Sequence, residues 1–153
     1  MAITDVRAVV EFLVSAGLAD PSRIGVSGRS YGGYLTLVAL AWFPELFAVG
    51  VDVCGISDFA TFYARTEPWI AEAAITKYGD PAVDGALLRE LSPIHQVDRI
   101  TAPCTTSSGA APGFLLFPDE GHEVHGTENR AVFVREVVRW VTAQLLELGV
   151  QTA

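Results

Sequence analysis

The amino-acid sequence predicts an α/β fold: a short, mostly parallel sheet of about three to four strands with helices on its faces. Three observations carry that expectation. Apolar segments of strand character alternate along the chain with segments of helical spacing. The run "LFAVGVDVCG", residues 46–55, is nearly unbroken in apolar and β-branched residues, as a strand buried on both faces requires. Half of the 153 residues are hydrophobic, enough for one packed core, so residues 1–153 read as a single domain.

The elements follow in order. Residues 4–16 read as a helix. Thr4 suits its N-cap, Asp5 favours the positive helix end, and Val6, Val9, Val10 and Leu13 recur at helical spacing. Gly17 stops it. "LADPSR" is a turn, and "RIGVSG", residues 23–28, is a short buried strand. From Tyr31 to Trp42 the apolar residues Leu35, Val38, Leu40 and Ala41 again fit a helix, with Pro44 just past its end. Residues 56–98 read as short helices around turns at Gly79-Asp80-Pro81 and Ser92-Pro93. "DRITAP" begins like a strand, but "APCTTSSGAAPG", residues 102–113, is small and polar and reads as a loop. "GFLLFPDEGH", residues 113–122, is a strand running into a loop. Residues 128–148 form the clearest helix, with Phe133, Val137, Val141, Leu145 and Leu148 on one stripe.

Charge and cysteine content narrow the function classes. Ten basic residues stand against eighteen acidic ones, a net charge of −8, which argues against nucleic acid and against an anionic membrane as partners. Cys54 and Cys104 lie beside apolar residues without a CxxC spacing, as free thiols in a reducing cytoplasm would. The opening "MAITDVRAVVEFLVSAG" carries Asp5, Arg7 and Glu11 within its apolar run, which fits neither a signal peptide nor a membrane span. A cytoplasmic protein is expected. With no metal-type cluster and no nucleotide loop in the sequence, neither a cofactor nor a metal is expected.

The stretch "GVSGRSYGGY", residues 25–34, holds the chemistry. Gly28-x-Ser30-x-Gly32 lies between a predicted strand and a predicted helix, the setting in which G-x-S-x-G forms a nucleophile elbow. The tight turn strains the serine backbone and lifts its oxygen above the sheet edge. Gly28 and Gly32 are expected to remove side chains that would collide there. The amide of Tyr31, at the helix N-terminus, is placed to hold a developing oxyanion. A phosphate-binding turn is the competing reading, but the spacing fits neither GxGxxG nor GxxxxGK[ST]. A serine needs a base, and the chain has three histidines. His122, in the loop after the "GFLLF" strand, is favoured because such folds gather their sites at the C-terminal ends of parallel strands. His95 and His125 are the alternatives.

The segments "DPSRIGVSGRSYGGYLTLVAL", "PELFAVGVDVCGISDF", "YGDP", "LSPIHQVDRITAP" and "LLFPDEGH" together resemble, in order, the catalytic domain of the prolyl oligopeptidase family. The branch is that of acylaminoacyl peptidases and dipeptidyl aminopeptidases, within the α/β-hydrolase fold. The resemblance implies Ser30 as nucleophile, His122 as base and Tyr31 as an oxyanion donor, acting on small ester or peptide substrates. It implies a partial α/β-hydrolase fold, truncated on its N-terminal side. The strands that open the family's sheet have no counterpart here, nor does the loop that supplies the second oxyanion donor. A strand, a loop bearing the triad aspartate and a helix are also missing after "ITAP", and the segment in their place contains no acid. Asp119, Glu120 and Glu123 flank His122, and Asp98 precedes the break, yet none stands at a matched position. The elbow strand, residues 23–27, is then an open edge, and a homo-oligomer covering it is expected. Weak esterase activity follows more readily than efficient peptidase activity. The alternative is a non-catalytic remnant that serves only in assembly or binding.

Overall fold

The computed structural model describes residues 2–106 and 115–147. The apolar run around Val51 forms the central strand, β2 (Val49–Val53). It is flanked by β1 (Gly25–Arg29) and β3 (Cys104–Thr106), both parallel to it, in the order β1-β2-β3. The register sets Val26 beside Gly50 and Arg29 beside Val53, and Gly50 beside Cys104 on the other side.

Two sequence expectations change here. Residues 102–113 are not all loop, since Cys104–Thr106 within them forms β3. Gly50 N donates to Pro103 O at 2.9 Å and starts that ladder, and the β-branched threonines continue it. Conversely, Leu115–Phe117, expected as a strand, takes no strand conformation; Gly113 and Phe114 lie outside the described residues. An apolar run becomes a strand only where a neighbour offers hydrogen bonds. Among the described residues this one has no such neighbour; it meets Pro118 and leaves Leu116 64% exposed.

The helices divide between the two faces of the sheet. A Cβ at Gly50 would meet Leu40, and one at Gly33 would meet Asp52, so the Gly50 and Asp52 face of β2 lies under α2 (Tyr31–Trp42). Val51 and Val53 point the other way and share a cavity with Phe133 and Val137 of α6 (Thr127–Glu147). Helix α1 (Ala2–Ser15) packs beside α2 and buries Ile3 and Val10. Gly17 takes φ 67° just after α1, the left-handed geometry in which glycine is least strained. The core joins those residues to Tyr34, Val38, Leu40, Phe47, Phe59 and Leu88.

Three short helices, α3 (Phe59–Arg65), α4 (Pro68–Tyr78) and α5 (Gly85–Leu91), and a 3-10 stretch (Pro93–Arg99) fill residues 59–99. Asp58 caps α3 by accepting from Ala60 N and Thr61 N. Fully buried Ser92 ties α3 to α5: its hydroxyl donates to Leu88 O at 2.6 Å and accepts from Phe59 N at 3.0 Å. Phe59 packs edge-on to Tyr34, with ring centroids 5.3 Å apart, and 5.0 Å from Tyr78. Among the described residues, no helix is long and apolar enough to cross a membrane, and no strand pairs with the outer side of β1.

Candidate active site

The turn at the end of β1 has the geometry of an elbow. Ser30 sits at φ 58°, ψ −118°, a backbone conformation that costs a non-glycine residue free energy. Two hydrogen bonds fix it there: Ser30 N donates to Val53 O at 2.8 Å, and Tyr34 N donates to Ser30 O at 3.0 Å. Ser30 occupies the N-cap position of α2, yet its hydroxyl makes no capping bond. The hydroxyl is not engaged by the helix it precedes.

The glycines around it divide unexpectedly. A Cβ at Gly28 would lie 2.2 Å from Gly32 O, so the turn closes only without one. A Cβ at Gly32 would meet nothing within 4 Å, and the steric reason expected for that glycine does not hold. Gly33 is the crowded one, since its Cβ would stand 2.2 Å from Asp52 Oδ1 and 2.8 Å from Gly55 Cα. Sequence reading passed over Asp52, a carboxylate 1% exposed that accepts from Gly55 N at 2.9 Å. It packs behind the elbow, and its presence inside the apolar "VGVDV" run was the available signal.

A cavity of about 590 Å3 opens beside the turn, bordered by Ser30 and by His122. Phe62, Ile70, Ala74 and Tyr78 give it an apolar side, and Lys77 stands at its rim with Nζ 3.8 Å from the Tyr31 ring centre. His122 is the histidine that borders this cavity. His95 lies at another depression beside Arg89, and His125 borders the space under α6. No hydrogen bond joins Ser30 to the His122 ring among the described residues. Burial lifts the Tyr34 hydroxyl to about 12 and, aided by Asp52, the Cys104 thiol to about 11, so neither ionises readily.

The four candidate acids are all engaged elsewhere or remote. Asp119 takes the Asn129 amide. Glu120 accepts from His125 N, Gly126 N and Asn129 Nδ2, each at 2.8 Å, and these bonds hold its pKa below the usual carboxylate range. Glu123 pairs with Arg29 at 2.8 Å, which lowers its pKa as well. Asp98 is exposed on the 3-10 stretch. None of them bonds a His122 ring nitrogen among the described residues.

Comparison with known proteins places the chain in a family and a fold. The family model described as "Prolyl oligopeptidase family" matches residues 2–110, a span that includes Ser30 and stops short of His122. Dipeptidyl aminopeptidase BIII of Pseudoxanthomonas mexicana is 31% identical over 84% of this chain and 23% of its own length. A solved puromycin-hydrolyzing peptidase of Mycobacterium tuberculosis is 29% identical, with a TM-score of 0.64 over 68% of this chain and 16% of that one. Dipeptidyl peptidase 4 of Porphyromonas gingivalis, 18% identical, shares the fold with a TM-score of 0.78 over 94% of this chain and 22% of its own. The architecture is that of the α/β-hydrolase peptidases, and the chain spans less than a quarter of the length of the curated relatives it matches.

Proposed function

This chain belongs to the prolyl oligopeptidase family, a family of serine-peptidase-type hydrolases, and we propose that it acts as a weak esterase through an acyl-enzyme at Ser30. The observation that carries this reading is the strained Ser30 backbone, with its hydroxyl not engaged by α2, at a cavity that His122 also borders. Ser30 Oγ attacks the ester carbonyl carbon while His122 takes the hydroxyl proton. The negative charge that develops on the carbonyl oxygen is held by Tyr31 N–H at the helix end. Collapse of that intermediate expels the alcohol, which leaves with the proton from His122. Water then attacks the acyl-serine by the same route in reverse. The apolar side of the cavity, Phe62, Ile70 and Tyr78, suits a hydrophobic acyl group.

We infer a preference for esters over amides because no carboxylate among the described residues bonds the His122 ring. In this reading Tyr31 N–H is the single oxyanion donor assigned, and working with one donor instead of two costs about 10² to 10³ in turnover. A triad without its acid loses about 10⁴. An ester with a good leaving group survives such losses. A peptide bond, whose amine must be protonated to leave, does not. Short peptide-like amides, the class that includes the compound for which the puromycin-hydrolyzing relative is named, form the second substrate group to test.

The experiment pairs fluorophosphonate labelling with hydrolysis of a short-chain p-nitrophenyl ester, on wild type, Ser30→Ala and His122→Ala. Labelling confined to proteins that retain Ser30, and turnover reduced by either substitution, is the expected outcome. If wild type neither labels nor outpaces Ser30→Ala, the chain is a remnant that binds without turnover. That second reading draws support from the carboxylates around His122, which are all occupied elsewhere. We also propose that a second copy of the chain covers the open side of β1.

A further inference from the structure

Arg29 and Glu123 are 94 residues apart in sequence and joined in space, with Arg29 Nη2 2.8 Å from Glu123 Oε1. Each is the immediate neighbour of a residue assigned a role above: Arg29 precedes Ser30, and Glu123 follows His122. Two weaker contacts converge on the same point. Arg29 Nη1 donates to the His122 carbonyl at 3.5 Å, and Cys54 Sγ approaches that carbonyl at 3.8 Å.

The two sides of this link differ in rigidity. Arg29 ends β1 in register with Val53, and the next residue's amide is bonded to Val53 O. Its backbone is fixed by the sheet. The loop around His122 is exposed, and the Glu120 bonds fasten it to the start of α6 rather than to the elbow. The contacts that join His122 to the strand end therefore run through Arg29 and Cys54. A histidine base ordinarily owes its orientation to a carboxylate on its ring. None bonds His122 among the described residues, so its placement depends on how its main chain is held.

We propose that Arg29 is a positioning residue: with Glu123 it tethers the loop that carries His122 to the strand end that carries Ser30, and so sets the imidazole-to-hydroxyl spacing. This rests on the reading of Ser30 and His122 as the reacting pair. Both side chains of the link are about half exposed, 48% and 54%, and such a pair contributes little to folding stability. Its effect falls on loop placement. A guanidinium can hold the carboxylate and the carbonyl together through its fixed fork, whereas an ammonium cannot reproduce that geometry. Lysine is thus a partial substitute at position 29 and methionine is none.

The test compares wild type with Arg29→Lys, Arg29→Met, Glu123→Gln and the Arg29→Met/Glu123→Gln double variant. Amide hydrogen exchange over residues 120–125 reads the tether without reference to activity. It is expected to rise several-fold in Arg29→Met and in Glu123→Gln, with no further rise in the double variant, and with α2 amides and Tm unchanged. The rate of fluorophosphonate labelling at Ser30, and kcat on the ester at constant KM, should fall about tenfold in Arg29→Met and recover partly in Arg29→Lys. Unchanged exchange in Arg29→Met overturns the tether whatever the kinetics show. A loosened loop with an unaltered labelling rate overturns the positioning role. Absence of labelling in wild type is read from that protein alone, and it removes the Ser30–His122 reading together with this inference.

Discussion

Ser30 is held at φ 58° by two hydrogen bonds and by a turn that closes over Gly28, while Gly32 carries no such demand. At Gly28 any side chain meets the Gly32 carbonyl at 2.2 Å, and backbone cannot swing aside as a side chain does. Gly28→Ala should lose about 1–3 kcal/mol, the usual range for overpacking, and urea unfolding measures it. Gly32 faces open space inside the first turn of α2. Gly32→Ala should be neutral or stabilise by up to about 1 kcal/mol, because alanine is the better helix former. Equal losses at the two positions would contradict this account of the turn. The motif made the elbow legible, and its flanking elements gave it the right setting. It assigned both glycines the same reason, however, because sequence spacing cannot show which Cβ points at backbone. The demand on Gly33 was illegible for a related cause: its partner, Asp52, is nineteen positions away and meets it only after β2 and α2 have packed.

Among the elements, the final loop and α6 depend on one carboxylate. Glu120 accepts two backbone amides, His125 N and Gly126 N, and the Asn129 side chain, so it links the His122 loop to the first turn of α6. Nearby His125 also favours its ionised form, while Asp119 shares the Asn129 amide. The sign of the pH effect follows. The native carboxylate binds a proton less readily than the unfolded one, whose value lies near 4.5. The stabilisation is therefore complete above that value and drains away as pH falls through the lower native value. Tm measured from pH about 6 down to about 3 should fall less steeply in Glu120→Gln than in wild type; parallel curves would rule out this role. Glu123, Glu136 and Asp58, lowered in the same direction, remain in both proteins. Helix α6 itself was plain from its stripe, since Phe133, Val137, Val141 and Leu145 are all half-buried, while Leu148 lies outside the described residues. Strand β3 was not. A three-residue strand such as Cys104–Thr106 is too short to show a period, and it exists because Gly50 offers an amide. The Leu115–Phe117 run shows the converse, having strand composition and no strand partner among the described residues.

For the molecule as a whole, the exposed side of β1 is the feature the sheet leaves unresolved. In a parallel sheet both faces are ordinarily covered, and an edge left bare invites pairing with another strand. Hydrogen-bond directions alternate along a strand. Ile24 O and Ser30 N both bond toward β2, so the amides and carbonyls of Gly25, Ser27 and Arg29 face outward. Those three residues are exposed, and on α1 Val9 and Phe12 stay 57% and 63% exposed. A second copy that brings its own β1 alongside would satisfy these outward backbone groups, which pair with no strand among the described residues, and extend the sheet across a twofold axis. The charge of −8 on each copy opposes this approach, and salt screens it. Sedimentation velocity at micromolar protein should therefore show dimer, with the dimer fraction rising from low to high salt. Ser27→Pro removes one outward amide and leaves the bonds to β2 untouched, since proline is tolerated where a strand faces away from its neighbour. That variant should sediment as monomer with an unaltered far-ultraviolet circular dichroism spectrum. Wild type sedimenting as monomer at every salt concentration would reject pairing through β1, and leave a strand from elsewhere in a longer protein as the occupant of this edge.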